Sequence, residues 1–286
     1  MAFVKTKGWT SSKYMLIMVI TSILWSSGGI LIKLVTLGPL AVSGIRSLIA
    51  AVVILCYLKK PRFTWNKYQL LGALAYASMA MTFVTATRLT TSANAVLLQY
   101  TAPIYVALLG SLILKEKASL KDWVTIAITL SGVILFFLDS FSGGGLLGNI
   151  LALISGFCFA LFVVCSRQQK EGSPMETILL GNIVTAILCL PFIFQAQYDS
   201  KSVLGVVVLG IVQFGLPYTL YGIAIKHVRA LDAVMIAVIE PILNPVWVFL
   251  FLGEKPGIWS LLGGVIVLAA VTYNCVMNTA QKEIDS

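Results

Sequence analysis

Charge is what this chain has least of: 11% of its 286 residues are Asp, Glu, Lys or Arg, against about 25% in an ordinary soluble domain. A surface so poor in charge cannot be wetted all round, which excludes a soluble globular fold. There is one histidine, His227, so no Ser-His-Asp arrangement and no histidine-based metal cluster can be assembled. The five cysteines (Cys56, Cys158, Cys165, Cys189, Cys275) are scattered through apolar runs without CxxC or Cys/His spacing. Neither a disulfide frame nor a zinc site follows from such a pattern. No P-loop, kinase signature or HExxH occurs, so nucleotide-driven pumping by this chain is excluded. Gly143, Gly145 and Gly148 satisfy GxGxxG formally, but they follow an apolar helix rather than a strand, and a dinucleotide site is rejected. No cofactor, metal or enzymatic activity is expected.

What the chain has instead is apolar sequence: 59% of residues, with a mean hydropathy of +0.96. Stretches near the ~20 residues needed to cross a bilayer fall at 14–36, 39–58, 68–88, 92–114, 122–139, 146–166, 175–196, 203–225, 230–252 and 257–278. Their continuous apolar character excludes the alternation of a β-barrel, and lipid leaves unpaired backbone no water to bond, so the spans are expected to be helices. The N-terminus does not read as a cleavable signal, because its apolar run is too long and no small-residue cleavage site follows.

The net charge of +9 points to topology rather than to nucleic acid. Outside the helix interiors, 15 Lys and Arg fall on one side of the alternating spans and 4 on the other, with Arg46 inside a span. That bias predicts ten spans with both termini cytoplasmic in a cell membrane.

A hydrophobic block is written twice. Thr101-Ala102-Pro103 lead to Leu114-Lys115-Glu116-Lys117, and Ile239-Glu240-Pro241 lead to Leu252-Gly253-Glu254-Lys255, at a constant offset of 241 − 103 = 138. Trp25 and Lys33 fall against Phe159 and Arg167 at an offset of 134, and Pro39 falls against Pro174. Five spans per half is odd, so the second copy must enter from the opposite side. The chain thus reads as an all-α integral membrane protein of ten transmembrane helices in two inverted five-helix repeats, residues 1–139 and 140–286. Such repeats mark carriers with a midplane site.

These fragments in this order (Trp25, Lys33, Pro39 with Arg46, Pro103 through Lys117, Glu240 through Lys255) resemble the ten-helix EamA-type carriers of the drug/metabolite transporter superfamily. The resemblance covers nearly the whole chain. It implies a proton- or gradient-driven carrier, often an exporter of amino acids or related small metabolites, without fixing the substrate.

Polar groups at bilayer depth are costly and face a cavity by preference. Glu240 lies near the centre of the ninth span; an acid there costs on the order of 2.5–3.5 kcal/mol on insertion scales. It is the candidate for proton coupling or for holding a substrate amino group, against the plainer role of bracing a proline-broken helix. Arg46 could hold a carboxylate, or pair within the protein as a structural charge. Pro103, Pro241 and Pro245 remove backbone donors and mark matched breaks. Trp25, Trp247, Tyr76, Gln99, Tyr100, Gln213, Tyr218, Tyr221 and Asn244 also sit at interior positions. Together they describe an amphipathic chamber suited to a small zwitterion or a cationic amphiphile. Trp9, Trp65, Trp123 and Trp259 lie beside loops, as in an aromatic belt.

The expected partners are a small-molecule substrate, protons and the lipid bilayer, with the carrier a monomer or homodimer. Rival readings are a carrier of cationic drugs, a carrier of nucleotide sugars or sugar phosphates, and a non-transporting receptor or scaffold.

Overall fold

A computed structural model describes residues 11–28, 31, 35–90, 92–136, 138, 145–169, 173–252 and 258–284. Lys33, Gly143, Gly253, Glu254 and Lys255 lie outside the described residues, as does the side chain of Asn244. Among the described residues every regular element is a helix: α1 (Ser11–Ser26), α2 (Pro39–Leu58), α3 (Lys67–Leu89), α4 (Ser92–Gln99), α5 (Ala102–Leu109), α6 (Leu120–Phe136), α7 (Leu146–Gln168), α8 (Pro174–Gln195), α9 (Ser200–Ala224), α10 (Ala230–Ala237), α11 (Ile239–Leu252) and α12 (Ile258–Ile284). Five of these, α2, α3, α7, α8 and α9, are long and apolar enough to cross a membrane. Because α4 runs into α5 and α10 into α11 across short breaks, the twelve helices form ten rods.

Local chemistry sets the helix starts. Proline stands in the first turn of α2 and α8, where a missing N–H costs nothing. Asn66 caps α3, and Ser173 with Glu176 forms a capping box at α8. Glu176 also accepts from the Arg62 backbone N–H at 2.6 Å, tying the α2–α3 connection to α8.

Within the expected 14–36 span the helix is interrupted: α1 stops at Ser26, Ser27 forms a turn, Gly28 and Leu31 are again helical with the Leu31 N–H on the Ser27 carbonyl, and residues 35–38 are not helical. The cause is the small polar run that follows Trp25. The Ser26 and Ser27 hydroxyls donate to the carbonyls of Ile23 and Leu24, competing with the backbone ladder where no bulky side chain supports it.

The packing has an internal correspondence. Exchange of α1, α2, α3, α4–α5 and α6 with α7, α8, α9, α10–α11 and α12 carries the most extensive helix contacts onto counterparts. The α3–α7 contact becomes α9–α1, α3–α8 becomes α9–α2, and the contact of α7 with α4–α5 becomes that of α1 with α10–α11. The α2–α8 and α6–α12 contacts map onto themselves, as does the contact between the α4–α5 and α10–α11 pairs. The buried core lies along this central seam, with Tyr76, Phe162 and Tyr221 fully enclosed. Large apolar side chains such as Leu48, Leu74, Val124, Leu188 and Val265 point outward and stay exposed. In lipid such exposure carries no hydrophobic penalty, so helix association rests on close packing and hydrogen bonds.

Candidate functional site

The site begins with two backbone breaks. Pro241 lacks the N–H that a regular helix would direct to the carbonyl of Ala237, four residues earlier. The chain turns at Val238, and the freed Ala237 oxygen receives the hydroxyl of Tyr100 at 3.0 Å. Tyr100 itself sits at the matching break, between α4 and α5, where Pro103 frees the carbonyl of Gln99. That oxygen faces Gly156 of α7, where a Cβ would lie 2.7 Å away, so only glycine permits the approach. At the corresponding contact between α1 and α10, 156 − 134 = 22, Ser22 donates to the carbonyl of Ile236 at 3.2 Å.

The Tyr100 hydroxyl also lies 2.8 Å from Glu240 Oε2. It has one proton and two acceptors if Glu240 is ionised. All the groups are satisfied only when Glu240 carries a proton, donating it to Tyr100 while Tyr100 donates to Ala237.

These groups border a cavity of about 60 Å³ lined by residues of α1, α2, α3, the α4–α5 break, α7, α9 and α11. By the 10–15 Å³ that one water requires, it holds roughly four to six waters. The two charged groups at its wall are Arg46 and Glu240. Glu240 is half-buried. Arg46 is 3% exposed, and its guanidinium lies over the Phe214 ring at 4.1 Å. Among the described residues Arg46 has no hydrogen-bond or ion-pair partner; its Nε is fully buried, as is the similarly unpartnered Nε1 of Trp25. The amide oxygen of Gln213 is likewise buried and unpartnered.

The arginine's surroundings follow from the sequence of α9. Its segment Leu209–Gly215 widens into a π-helical stretch just before Pro217, whose ring would otherwise meet the carbonyl of Gln213. Gly210 and Gly215 within it let α9 seat against Ile49 and Val53 of α2, where added Cβ atoms would lie at 2.6 and 2.9 Å. This seating brings Phe214 under Arg46 and turns Gln213 to the cavity.

Of the positions selected from sequence, Trp25, Arg46, Gln99, Tyr100, Gln213, Tyr218 and Glu240 line the cavity together. Tyr76 and Tyr221 do not. They stand behind it in an aromatic cluster, Tyr76 at 4.9 Å centroid distance from Tyr218, and Tyr221 stacked on Phe162 at 5.5 Å. Trp247 also lies off the wall, its Nε1 donating to Ser26 at 2.7 Å and joining α11 to α1. Met79, Ala80, Phe83, Phe159 and Phe214 complete the lining and were not selected. Only Phe159 carried a signal, as the repeat counterpart of Trp25. The others are apolar, and a search for polar groups passes over them.

Beyond the aromatic cluster, on the side of the basic loops, ion pairs join the two halves. Glu116 meets Arg167 at 3.3 Å and Asp122 meets Arg229 at 2.9 Å. Arg167 also donates to the Lys226 carbonyl, and Glu116 accepts from the Ala230 N–H at 3.4 Å. At the opposite end Thr36 donates to Asp199 at 2.8 Å. Hydrogen bonds, first that of Ser202 and then that of Thr36, hold the exposed Asp199 carboxyl down at a pKa of about 2.

A bundle of membrane-length helices closed around a polar chamber at its seam belongs to the class of multi-pass membrane proteins that includes solute transporters. Residues 12–138 and 146–275 each match the EamA-like transporter family, and the chain belongs to that family. An uncharacterized transporter of Archaeoglobus fulgidus is 24% identical, the match covering 91% of this chain and 96% of that one. The threonine/homoserine exporter RhtA of Escherichia coli (strain K12) is 25% identical over 87% of this chain and 86% of its own length. A solved crystal structure superposes with a TM-score of 0.79 at 17% identity, covering 92% of this chain and 96% of its own; this likeness is one of fold.

Proposed function

We propose that this transporter is a proton-coupled secondary carrier that exports amino acids or related small amphipathic metabolites by alternating access around the Glu240 cavity. In this reading the ten rods span the membrane as two inverted repeats, residues 1–139 and 140–286, with both termini in the cytoplasm. The interchange of helix contacts between the halves supports the inverted arrangement, and the 15:4 split of basic residues supports the orientation.

The observation that carries the reading is Tyr100, held between Glu240 and the backbone oxygen freed by Pro241. Protonated Glu240 donates to Tyr100, and Tyr100 in turn donates to Ala237, so the α10–α11 break is fully bonded. Loss of the proton turns the Tyr100 hydroxyl to the carboxylate and leaves the Ala237 carbonyl without a donor. A proton on one side chain thereby changes the stability of a hinge, which is the bistable element a coupled carrier needs. Movement of the halves breaks the Glu116–Arg167 and Asp122–Arg229 pairs, opening the cavity to the cytoplasm. The substrate class draws support from the threonine/homoserine export of the RhtA relatives and from the mixed polar and aromatic lining. A single interior arginine beside an acid disfavours a doubly anionic sugar phosphate.

Reconstitution into proteoliposomes with an imposed pH gradient tests the reading, with L-threonine, L-homoserine and a broad metabolite panel as cargo. Gradient-dependent flux is expected, and an E240Q carrier is expected to exchange substrate without responding to the gradient. Absence of flux across the panel would leave a receptor or scaffold as the better account.

A further inference from the structure

We infer that the substrate is a zwitterion bound across the cavity, its carboxylate on Arg46 and the indole N–H of Trp25, its ammonium on Glu240. The inference rests on the carrier reading above and narrows it to one chemical class.

A guanidinium presents five N–H donors and cannot be neutralised by losing its proton. Burial of such a group without acceptors is strongly disfavoured, and proteins pair it. Arg46, at 3% exposure, nevertheless has no acceptor among the described residues. The Phe214 ring beneath it takes one face of the cation, and its Nε–H stays buried without an acceptor. Trp25, at 5% exposure, has its Nε1 donor unsatisfied as well, and both residues border the same cavity. Two unbonded buried donors on one small chamber call for an acceptor that enters from outside.

The protein had a counter-ion available and did not use it. Glu240 lines the same cavity, within electrostatic reach of Arg46, yet no ion pair closes between them. Arg46 thus lacks an acceptor, and Glu240, once its proton has left, presents a carboxylate at the same chamber. A carboxylate fits the planar fork of Arg46, while an ammonium fits a carboxylate. A molecule carrying both satisfies the two poles at once and leaves the net charge of the chamber unchanged. A cationic amphiphile would pair with Glu240 but leave Arg46 facing a like charge. A simple anion would reverse the conflict. The aromatic walls, Trp25, Phe83, Phe159, Phe214 and Tyr218, then meet the rest of the substrate.

Thermal stabilisation of the full-length protein reads binding without requiring flux. The probes are the twenty L-amino acids, each compared with its methyl ester, its decarboxylated amine and its N-acetyl derivative. The expected result is stabilisation by a subset of the amino acids, with each of the three derivatives weaker by about 10- to 100-fold, the range for losing one charge-assisted hydrogen bond. Equal binding of an amino acid and its ester or amine would overturn the carboxylate pole. Equal binding of the N-acetyl derivative would overturn the ammonium pole, and stabilisation by none of the twenty would overturn the proposal entire. W25F keeps the ring while removing the donor, and is expected to weaken the amino acid several-fold, about 3- to 10-fold, without affecting the ester. R46Q is expected to abolish the preference of amino acid over ester. Flux of some other cargo in proteoliposomes alongside any overturning result would leave the carrier reading standing.

Discussion

The two proline breaks differ in how each handles the carbonyl it frees, and in the proposed carrier the difference separates hinge from chemistry. At the first break the Gln99 oxygen is pressed against Gly156, a steric contact with no titratable group. At the second, the Ala237 oxygen is held by Tyr100, which also touches Glu240. The positions correspond at the 138-residue offset, but the residue matching Glu240 is Ala102. Correspondence between the halves thus supplies two similar bends, and departure from it supplies the acid. On the proposed reading, function concentrates where the copies disagree.

The largest expected effect is at the second break. E240Q should remove pH-gradient-driven flux, a loss of tenfold or more, equivalent to about 1.4 kcal/mol or more of coupling, while leaving expression intact. A flux assay at several imposed gradients checks this; an unchanged response would make the two breaks equivalent. At the first break, G156A should destabilise the fold by about 1–3 kcal/mol, because its methyl group must displace the Gln99 carbonyl. Thermal unfolding in detergent measures that cost. Y100F should cost a similar or smaller amount, about 1–3 kcal/mol, through the unsatisfied Ala237 oxygen. Unlike G156A, it should also flatten the pH dependence of flux. If both variants changed stability alone, the contrast between the breaks would vanish.

The smallest effect lies far from both. Asp199 has its folded pKa depressed from 3.8 to about 2, so its contribution to stability is present above about pH 4 and is lost as pH falls through about 2. Between those values wild type should lose a small increment of melting temperature that D199N does not lose.

Much of this was legible in the chain because lipid imposes a strict grammar. Continuous apolar runs, basic loops and doubled Pro-containing blocks each have a direct physical cause, so helix positions and both breaks could be read in advance. The break of α1 at Ser27 could not, since it depends on the Ser26 and Ser27 hydroxyls turning back on their own helix. Depth in the bilayer was enough to gather seven cavity residues. It could not tell Tyr218, on the wall, from Tyr221, three residues later and behind it. That distinction is rotational, and rotation about α9 depends on packing against α2. Phe214 and Met79 escaped notice because nothing about an apolar residue in a membrane announces that it faces water.

The widened segment of α9 has one more consequence. A helix that accommodates a surplus residue turns everything downstream by about 100° relative to a regular one. Deletion of one residue between 209 and 215 would therefore not merely shorten the rod; it would rotate Tyr218 off the chamber and disperse the ring cluster behind it. The angular phase of half a helix is held by a single residue's worth of slack.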